Sequence, residues 1–399
     1  MTNSSDPAFA QPDEDELSPD AVDDEDTSAG AHQHKPWNPT KIRITTKNFS
    51  LREVVEQIRD GEVDLSPEFQ RDYVWKRRQR TRLIESILLG IPLPVFYFNQ
   101  DDDGTFQVVD GVQRLSTISR FMDDQHELDK VDLEYLQDLH GLRYTGLDLA
   151  SLRRFKTAQI VVHVIEPQTP DEVKYDIFGR VNTLGSPLSA QEIRHAMSKD
   201  RSRKFLKALC EVPSFDEATG MNFWRRDPEQ PGVSTPDSGR MMNRELALRF
   251  CAFKDFTADE YRRYPSLDSY LVEYTKRIDG RSESGLMFSD EELERIKLDF
   301  ERAMENAFAI LGKNAFRRQW PRQTKRSPIN RAVFESQAVA LAGYDLKDLL
   351  PHKNAIADKF RALFGDEAYS RAVTVGTGDL RRVETRLTAT ATLLKGLVG

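Results

Sequence analysis

The sequence predicts an α+β protein, with a mixed α/β domain over residues 37–200 and a mostly α-helical region over residues 201–399. Three apolar runs of strand length lie in the first part: Val95–Phe98, Phe106–Val109 and Ala158–Ile165. Segments with apolar residues at helical spacing alternate with these runs. In the second part the strand signals fade while helix signals continue, so the two parts are predicted to differ in architecture.

Helix boundaries in the first part are marked by capping residues and glycines. The capping-box pattern from Ser50 to Glu53 opens a helix that ends at Gly61. An amphipathic helix is predicted from Arg78 to Leu89 and ends at Gly90. A turn over residues 101–104 is predicted to join the first two strands.

The remaining helices are predicted from the same signals. Apolar spacing indicates helices over Gln113–Met122 and Asp171–Val181, and residues 222–239 are predicted to form a loop. Capping pairs open three more helices: Ser189 with Glu192, Thr257 with Glu260, and Ser289 with Glu292.

The net charge of −8 comes from the first 34 residues, which hold ten acidic residues and no Lys or Arg. The rest of the chain has 57 basic and 55 acidic residues and is close to neutral. Because the acidic segment has almost nothing to bury, residues 1–36 are predicted to be a disordered tail.

Composition excludes several classes of protein. No apolar run reaches about 18 residues and no signal peptide is present, so a cytoplasmic protein without membrane contact is expected. Cys210 and Cys251 form no CxxC pair, so no zinc site is expected, and neither is haem. There is no P-loop pattern, and Gly376–Gly378 is too short for an NAD-binding fingerprint.

The main candidate site lies in the stretch FQVVDGVQRLSTISRF, where a predicted strand meets a helix. Main-chain N–H groups and the positive helix end favour a phosphate there. Gly111 allows close approach, Arg114 can grip a phosphate, Asp110 can hold a metal ion or accept a proton, and Gln113 can position water or a ribose hydroxyl. The alternative is structural, with Asp110 capping the helix and pairing with Arg114, and the spacing alone favours it.

Two further polar segments accompany this one. The motif FQRDYVW sets Gln70 and Arg71 among aromatic residues, and FGRVNTLGSPLSAQE sets Arg180 and Asn182 before a glycine turn. Each also has a structural explanation, namely arginine–aromatic packing for the first and a helix C-cap for the second.

Two basic stretches that contain an aromatic residue are candidates for contact with DNA. Residues 71–82 hold six basic residues and one acid, and residues 317–331 hold six basic residues and no acid. A solvated surface explains them equally well, and the second stretch could instead bind a partner protein. The candidate DNA contacts are Arg77, Arg78, Arg317, Arg318, Arg322, Lys325 and Arg326.

Four motifs occur in a fixed order: PEFQRDYVW, LIESILLGIPLPVFYF, FQVVDGVQRLSTISRF and IFGRVNTLGSPLSAQE. This order resembles the N-terminal domain of GmrSD-type modification-dependent restriction systems, over about residues 45–200. The family signature is D-G-Q-Q-R, and here Val112 stands in place of its first Gln. The later stretches RMMNRELALRF, FRRQW and PINRAVFE resemble the helical continuation of stand-alone members, and the chain shows no HNH nuclease pattern.

The resemblance implies a ParB/sulfiredoxin-like fold that binds and hydrolyses an NTP with a divalent metal such as Mg²⁺. It also implies action on modified or foreign DNA, with cleavage supplied by a partner nuclease. The implied catalytic residues are Asp110, Gln113 and Arg114, with Asp110 also the metal ligand. The implied nucleotide-binding residues are Gln70, Arg71, Gly111, Arg180 and Asn182.

The alternative is a non-enzymatic DNA- or protein-binding regulator that uses the same pocket as a nucleotide switch. Val112 bears on this choice. If the Gln that it replaces contacts the nucleotide, hydrolysis is weakened and binding alone survives. If that position faces the core, the replacement by Val costs nothing.

Overall fold

A computed structural model describes Val22 and residues 39–65, 75–181, 189–226, 234–236, 240–282, 284–321 and 325–399. The chain divides into two compact units, one from His34 to Ser198 and one that includes Lys199–Gly399. We call them the N-terminal unit and the helical unit. A five-stranded sheet lies in the first and the second is mostly helical, which confirms the predicted α+β class.

Among its described residues, the N-terminal unit combines one mixed sheet with six α-helices. Its strands are β1 (Ile44–Ser50), β2 (Val63–Asp64), β3 (Phe96–Gln100), β4 (Phe106–Asp110) and β5 (Gln159–Ile165). Its helices are α1 (Leu51–Arg59), α2 (Arg77–Leu89), α3 (Val112–Met122), α4 (Leu149–Thr157), α5 (Asp171–Val181) and α6 (Ala190–Ala196).

The strand order in this sheet is β1-β5-β3-β4-β2. β5 pairs antiparallel with β1 and parallel with β3, whereas β4 pairs antiparallel with β3 and parallel with β2. A bulge between Tyr97 and Phe98 shifts the register, so that Tyr97 lies opposite Asp110 and Phe98 opposite Val108. The bulge thus lies next to Asp110, the last residue of β4 and part of the candidate site.

Helices cover both faces of the sheet, because successive side chains of a strand point to opposite faces. Val108 and Val164 belong to an apolar cluster with residues of α1 to α4. Their neighbours Val109 and Ile165 belong to a second cluster with residues of α5 and α6. This double coverage explains why β4 and β5 read as nearly continuous apolar runs in the sequence.

The capping predictions in this unit are confirmed. Ser50 and Ser189 both form complete capping boxes, with Glu53 and Glu192 respectively. Gly90 ends α2 in the left-handed conformation, at φ 80°. β1 and β2 were not predicted: five of the seven residues of β1 are exposed on the edge of the sheet, and β2 has only two residues.

The helical unit contains eleven α-helices and one hairpin among its described residues. The helices are α7 (Asp200–Cys210), α8 (Pro213–Thr219), α9 (Met242–Lys254), α10 (Ala258–Tyr261), α11 (Leu267–Ile278), α12 (Asp290–Leu311), α13 (Arg331–Ala342), α14 (Leu346–Leu349), α15 (Lys353–Leu363), α16 (Glu367–Ala372) and α17 (Leu380–Val398). The predicted loop over residues 222–239 contains two short antiparallel strands, β6 (Trp224–Arg226) and β7 (Ser234–Pro236).

A buried charge network joins three helices of the helical unit. Glu335 on α13 is fully buried and accepts hydrogen bonds from Arg249 on α9 at 2.7 Å and from Arg386 on α17 at 2.6 Å. Arg249 also donates to Glu245 at 2.9 Å. Because each buried charge has an opposite partner, the network avoids the large cost of an unpaired ion.

None of the described helices is long and apolar enough to span a membrane.

Candidate nucleotide site

The candidate site is built at the junction of β4 and α3. β4 ends at Asp110, Gly111 turns the chain at φ 104°, and α3 begins at Val112. A Cβ atom on Gly111 would lie 2.1 Å from Cδ1 of Phe96, which is fully buried. Both the positive φ and the adjacent ring therefore require glycine here, before any ligand is considered.

Arg114 folds back onto the strand junction. Its Nη2 donates to Asp110 Oδ2 at 2.8 Å and to the main-chain oxygen of Val95 at 3.2 Å, and its Nη1 donates to the main-chain oxygen of Pro94. The guanidinium also lies over the Phe96 ring, 4.1 Å from its centroid. Arg114, which was predicted to bind a phosphate, is thus hydrogen-bonded by its own chain, and its pairing with Asp110 agrees with the structural alternative.

Burial governs the electrostatics of this ion pair. The side chain of Arg114 is 11% exposed and that of Asp110 is 32% exposed. Burial raises the pKa of Asp110 even though the positive charge of Arg114 opposes the rise. Burial likewise lowers the pKa of Arg114, and the charge of Asp110 opposes that change. A carboxylate with a raised pKa is a better proton acceptor than an ordinary surface aspartate.

Gln113 presents an unsatisfied polar atom in the first turn of α3. Its side-chain Oε1 is buried, and no described residue hydrogen-bonds to it. No side-chain cap is described for the N-terminus of α3 either, since Gly111 occupies the N-cap position. A buried carbonyl oxygen without a donor is costly, so this atom is suited to accept a hydrogen bond from water or from a ligand.

Val112 faces the core. It is only 8% exposed and belongs to the apolar cluster that packs under α1 to α4. Of the two possibilities for this position, the structure supports the one in which Val takes the place of Gln without removing a ligand contact.

Within the described part of the chain, no contact with Asp110 is seen for the other expected nucleotide-binding side chains. Arg180 is 76% exposed and its Nε pairs with Asp176 at 3.1 Å, one turn earlier on α5. Gln70, Arg71 and Asn182 lie outside the described residues.

The basic stretch at the start of α2 is partly neutralised. Arg77 pairs with Asp129 at 3.0 Å and Arg82 pairs with Glu134 at 3.1 Å. Arg78 is exposed, and none of the ion pairs seen in the described part of the chain includes it. Of this stretch, Arg78 is therefore the candidate with the most available charge.

In the second basic stretch, the prediction that Arg317 contacts DNA is wrong. Arg317 is 2% exposed, and its guanidinium donates to the main-chain oxygens of Ser327 at 2.8 Å and Thr219 at 3.4 Å. It holds the loop that precedes α13 and cannot contact DNA. Arg318 lies 5.8 Å from the centroid of Trp320. Lys325 and Arg326 are exposed, whereas Arg322 lies outside the described residues.

Sequence reasoning missed Tyr97 and His163. On the sheet, Tyr97 lies opposite both Asp110 on β4 and His163 on β5, and His163 lies opposite Thr46 on β1. The rings of Tyr97 and His163 are 5.2 Å apart, edge to face, and Thr46 Oγ1 shares a 3.0 Å hydrogen bond with His163 Nδ1. No local pattern could have found them, because only strand pairing brings them together.

The residues of this site offer a divalent metal ion one carboxylate. Across the described ranges there is no group of three or more His, Cys, Asp or Glu residues that could hold a metal. Asp110 Oδ2 is already engaged by Arg114. Mg²⁺ commonly binds through one or two carboxylates plus substrate phosphates, so Asp110 fits it only as the protein ligand of a nucleotide-borne ion.

One family model matches the chain. The model described as GmrSD restriction endonuclease, N-terminal domain matches residues 51–198. No curated protein matches the sequence. The matched range covers α1 to α6 and contains all four ordered motifs. This match confirms the resemblance inferred from them. Residues 51–198 of the N-terminal unit are therefore similar to the N-terminal domain of GmrSD restriction endonucleases.

Proposed function

We propose that this chain binds a nucleoside triphosphate at the N-terminal end of α3 and hydrolyses it. The family match supports a role in a restriction-like defence system, in which a partner nuclease would cut the DNA. The observation that carries the proposal is the buried, unsatisfied Oε1 of Gln113, which stands in the first turn of α3 directly before Arg114, the partner of Asp110. An acceptor, an anion-binding helix end and a cation are thereby combined at one junction.

An exchange of partners on Arg114 would open the site. A phosphate oxygen can replace the Asp110 carboxylate on Nη2, because both are anions that accept charge-assisted hydrogen bonds from a guanidinium. The exchange keeps Arg114 paired while releasing Asp110. The freed carboxylate, whose pKa burial raises, is then placed to accept a proton from attacking water.

Gln113 would orient the water or a ribose hydroxyl through its unsatisfied oxygen. Main-chain N–H groups in the first turn of α3 would bind the phosphate charge without needing to reorganise. When bound with the nucleotide, Mg²⁺ would neutralise part of the triphosphate charge.

The test measures phosphate release from ATP, GTP, CTP and UTP with Mg²⁺. Asp110→Asn and Gln113→Ala are expected to lower release by at least about 100-fold, in the range typical of a lost general base. Gln125→Ala replaces an exposed glutamine of the same unit and is the matched control. Unchanged release in Asp110→Asn, with an unchanged melting temperature, would refute the assignment.

A second candidate function is a nucleotide switch without hydrolysis. It is favoured by the three hydrogen bonds that hold Arg114 to its own chain. If Arg114 stays paired with Asp110, the N–H groups of α3 can still bind a phosphate, but the carboxylate is not free to accept a proton. At a ligand concentration of about 100 times Kd, binding adds roughly 2.7 kcal/mol of stability. A nucleotide-dependent rise in melting temperature without phosphate release would therefore identify the switch.

DNA contact is proposed for the exposed basic residues Arg78, Lys325 and Arg326. Phosphate contacts release counterions, so the affinity should fall steeply with salt, with a log–log slope of about 0.9 per contact on duplex DNA. Arg78→Ala should reduce the slope by about one, and Arg120→Ala, an exposed arginine on α3, serves as its control. An affinity that does not change with salt would contradict DNA contact by these residues.

A further inference from the structure

Val22, in the acidic first part of the chain, pairs with the helical unit. It forms a parallel bridge with Ile329, and Ile329 forms a second, antiparallel bridge with Arg317. The side chain of Val22 is half-buried and packs against the apolar cluster in which Ile329 is fully buried. Main-chain pairing and apolar contact therefore both hold Val22 against the segment that precedes α13.

The segment that holds Val22 is the second basic stretch of the sequence. Residues 317–331 contain six basic residues and no acid. Lys325 and Arg326 are exposed, and they lie four and three positions before Ile329. They are also the residues of this stretch for which DNA contact is proposed. The Val22 contact and the proposed DNA contact are thus only a few residues apart.

The residues beside Val22 carry the opposite charge. Asp20 lies two positions before it, and Asp23, Asp24, Glu25 and Asp26 follow it directly. No Lys or Arg occurs among the first 34 residues. Asp20 and Arg326 both precede the bridge, so its parallel direction brings an acid and an exposed base to the same side of it.

The reach of the chain keeps these charges close together. Each residue advances the chain by at most about 3.6 Å, so Asp20 stays within about 7 Å of Val22, and Arg326 within about 11 Å of Ile329. At an ionic strength of about 0.1 M, charges less than about 10 Å apart are only partly screened. The bridge therefore holds carboxylates within electrostatic range of the basic stretch.

A weak contact is enough for competition when the competitor belongs to the same chain. Exposed ion pairs are individually weak. A segment joined to its binding surface nevertheless acts at an effective concentration of about millimolar. DNA that is bound without sequence preference has a Kd of about 10⁻⁴–10⁻⁶ M, a range in which such a competitor changes the occupancy.

We infer that the acidic segment around Val22, residues 20–26, occupies the basic surface at Lys325 and Arg326 and competes there with DNA. The inference rests on the DNA contact proposed above for these two residues and adds its regulation. Carboxylates take the place of phosphates because both accept charge-assisted hydrogen bonds from Lys and Arg. Val22 anchors the segment, and DNA binds this surface by displacing the carboxylates.

The test measures binding of the full chain to a short duplex DNA between about 50 and 200 mM salt. Asp20→Asn combined with Asp23→Asn neutralises one acid on each side of Val22 and should tighten binding about threefold, as expected for the loss of two exposed ion pairs. The matched control combines Glu305→Gln with Asp348→Asn, which removes two negative charges at exposed sites of the same unit. The control should change the affinity much less.

Val22→Asn tests the anchor without changing the net charge. The amide loses the apolar contact, so this variant should also bind DNA more tightly, and hydrogen exchange of the peptide that contains Ile329 should become faster. Exchange is measured without DNA, so it reports on the Val22 contact separately from the proposed DNA contact. Val131→Asn, at a residue that is 91% exposed, should change neither quantity.

Lys325→Ala combined with Arg326→Ala identifies the surface on which the segment acts. In this background, neutralising Asp20 and Asp23 should no longer tighten DNA binding, because the cations for which the two anions compete are gone. Tightening of the same size as in the native background would overturn the assignment to these two residues.

Equal tightening in the Asp20 and Asp23 variant and in its matched control would show that only the net charge acts, and the inference fails. Unchanged exchange and unchanged DNA affinity in Val22→Asn would also overturn it, while salt-dependent DNA binding by the wild type would leave the proposed DNA contact standing. A chain that binds DNA in none of these variants overturns both the DNA contact and the competition.

Discussion

Gly111 and Phe96 are packed so closely that a Cβ atom on the glycine would meet Cδ1 of the ring at 2.1 Å. Arg114 lies over the same ring, 4.1 Å from its centroid. The glycine and the arginine of the D-G-x-Q-R stretch both pack against one buried phenylalanine, and the aspartate pairs with that arginine. Any catalysis by this stretch would start from the state in which Arg114 is paired with Asp110.

Gly111→Ala is expected to destabilise the N-terminal unit by at least about 2 kcal/mol. The added methyl group would collide with the Phe96 ring, and the residue would also be held at a positive φ. Gly104→Ala is the matched control, because Gly104 has φ 90° and nothing lies within 4 Å of its Cβ position. Urea unfolding should show a much smaller loss, of about 1 kcal/mol, for the control. Equal losses in the two variants would show that backbone conformation, and not Phe96, requires the glycine.

Arg114→Lys is expected to cost about 1–2 kcal/mol, although the charge is kept. A lysine cannot reproduce the forked donation to Asp110 and Val95 or the planar contact with Phe96. A double-mutant cycle with Asp110→Asn should give a coupling of roughly 0.5–3 kcal/mol, as is usual for residues in contact. Arg180→Lys, in the exposed pair with Asp176, should change stability by less than about 0.5 kcal/mol. A coupling near zero would show that Asp110 and Arg114 act independently.

Val112→Gln restores the family signature D-G-Q-Q-R, yet we expect no gain in phosphate release. The position is 8% exposed within an apolar cluster, so an amide placed there loses water without a partner and costs about 1–3 kcal/mol. Val131→Gln, at a residue that is 91% exposed, should leave the melting temperature unchanged. Faster NTP hydrolysis in Val112→Gln, at unchanged stability, would show that the side chain reaches the nucleotide after all.

His126 should make the stability of the N-terminal unit depend on pH. Burial lowers its pKa from 6.5 to about 4, and the positive charges of Arg80 and Arg77 add to the shift. Since the unfolded chain binds the proton more readily, this contribution is present above pH 6.5 and is lost as the pH falls towards 4. The loss amounts to about 3 kcal/mol, because each tenfold change in proton affinity is worth about 1.4 kcal/mol.

The measurement is urea unfolding of the wild type and His126→Gln between pH 4 and pH 7. Glutamine keeps a polar group near Thr81, which lies 3.2 Å from His126 Nε2, but it does not titrate. The variant should therefore show a flatter profile, while His140→Gln, at an exposed site, should follow the wild type. Parallel profiles for the wild type and His126→Gln would contradict the prediction.

Local signals in the sequence were sufficient for most of the fold. The capping boxes at Ser50, Ser189 and Ser289 and the glycine end of α2 are formed as predicted. Each depends on residues within one helical turn, so the information is contained in a short stretch. β1 was missed because it is an exposed edge strand without alternating apolar residues, and it is ordered by pairing with β5 along its whole length.

The candidate site was predictable only in part. The motif order identified the family, and the strand–helix junction at Asp110 follows from the sequence. The burial of Arg317 did not, since a basic stretch looks the same whether its charges face water or the main-chain oxygens of distant residues.

The sequence by itself determined the class of fold, the helix ends, the junction between β4 and α3, and the resemblance of residues 51–198 to the GmrSD N-terminal domain. The tertiary structure alone decided that Val112 faces the core, that Arg114 also donates to the main-chain oxygens of Pro94 and Val95, and that Thr46 and His163 meet although 117 positions separate them. The physical reason is range. Capping and helical periodicity act over a few residues, whereas burial and strand register arise from contacts between distant segments.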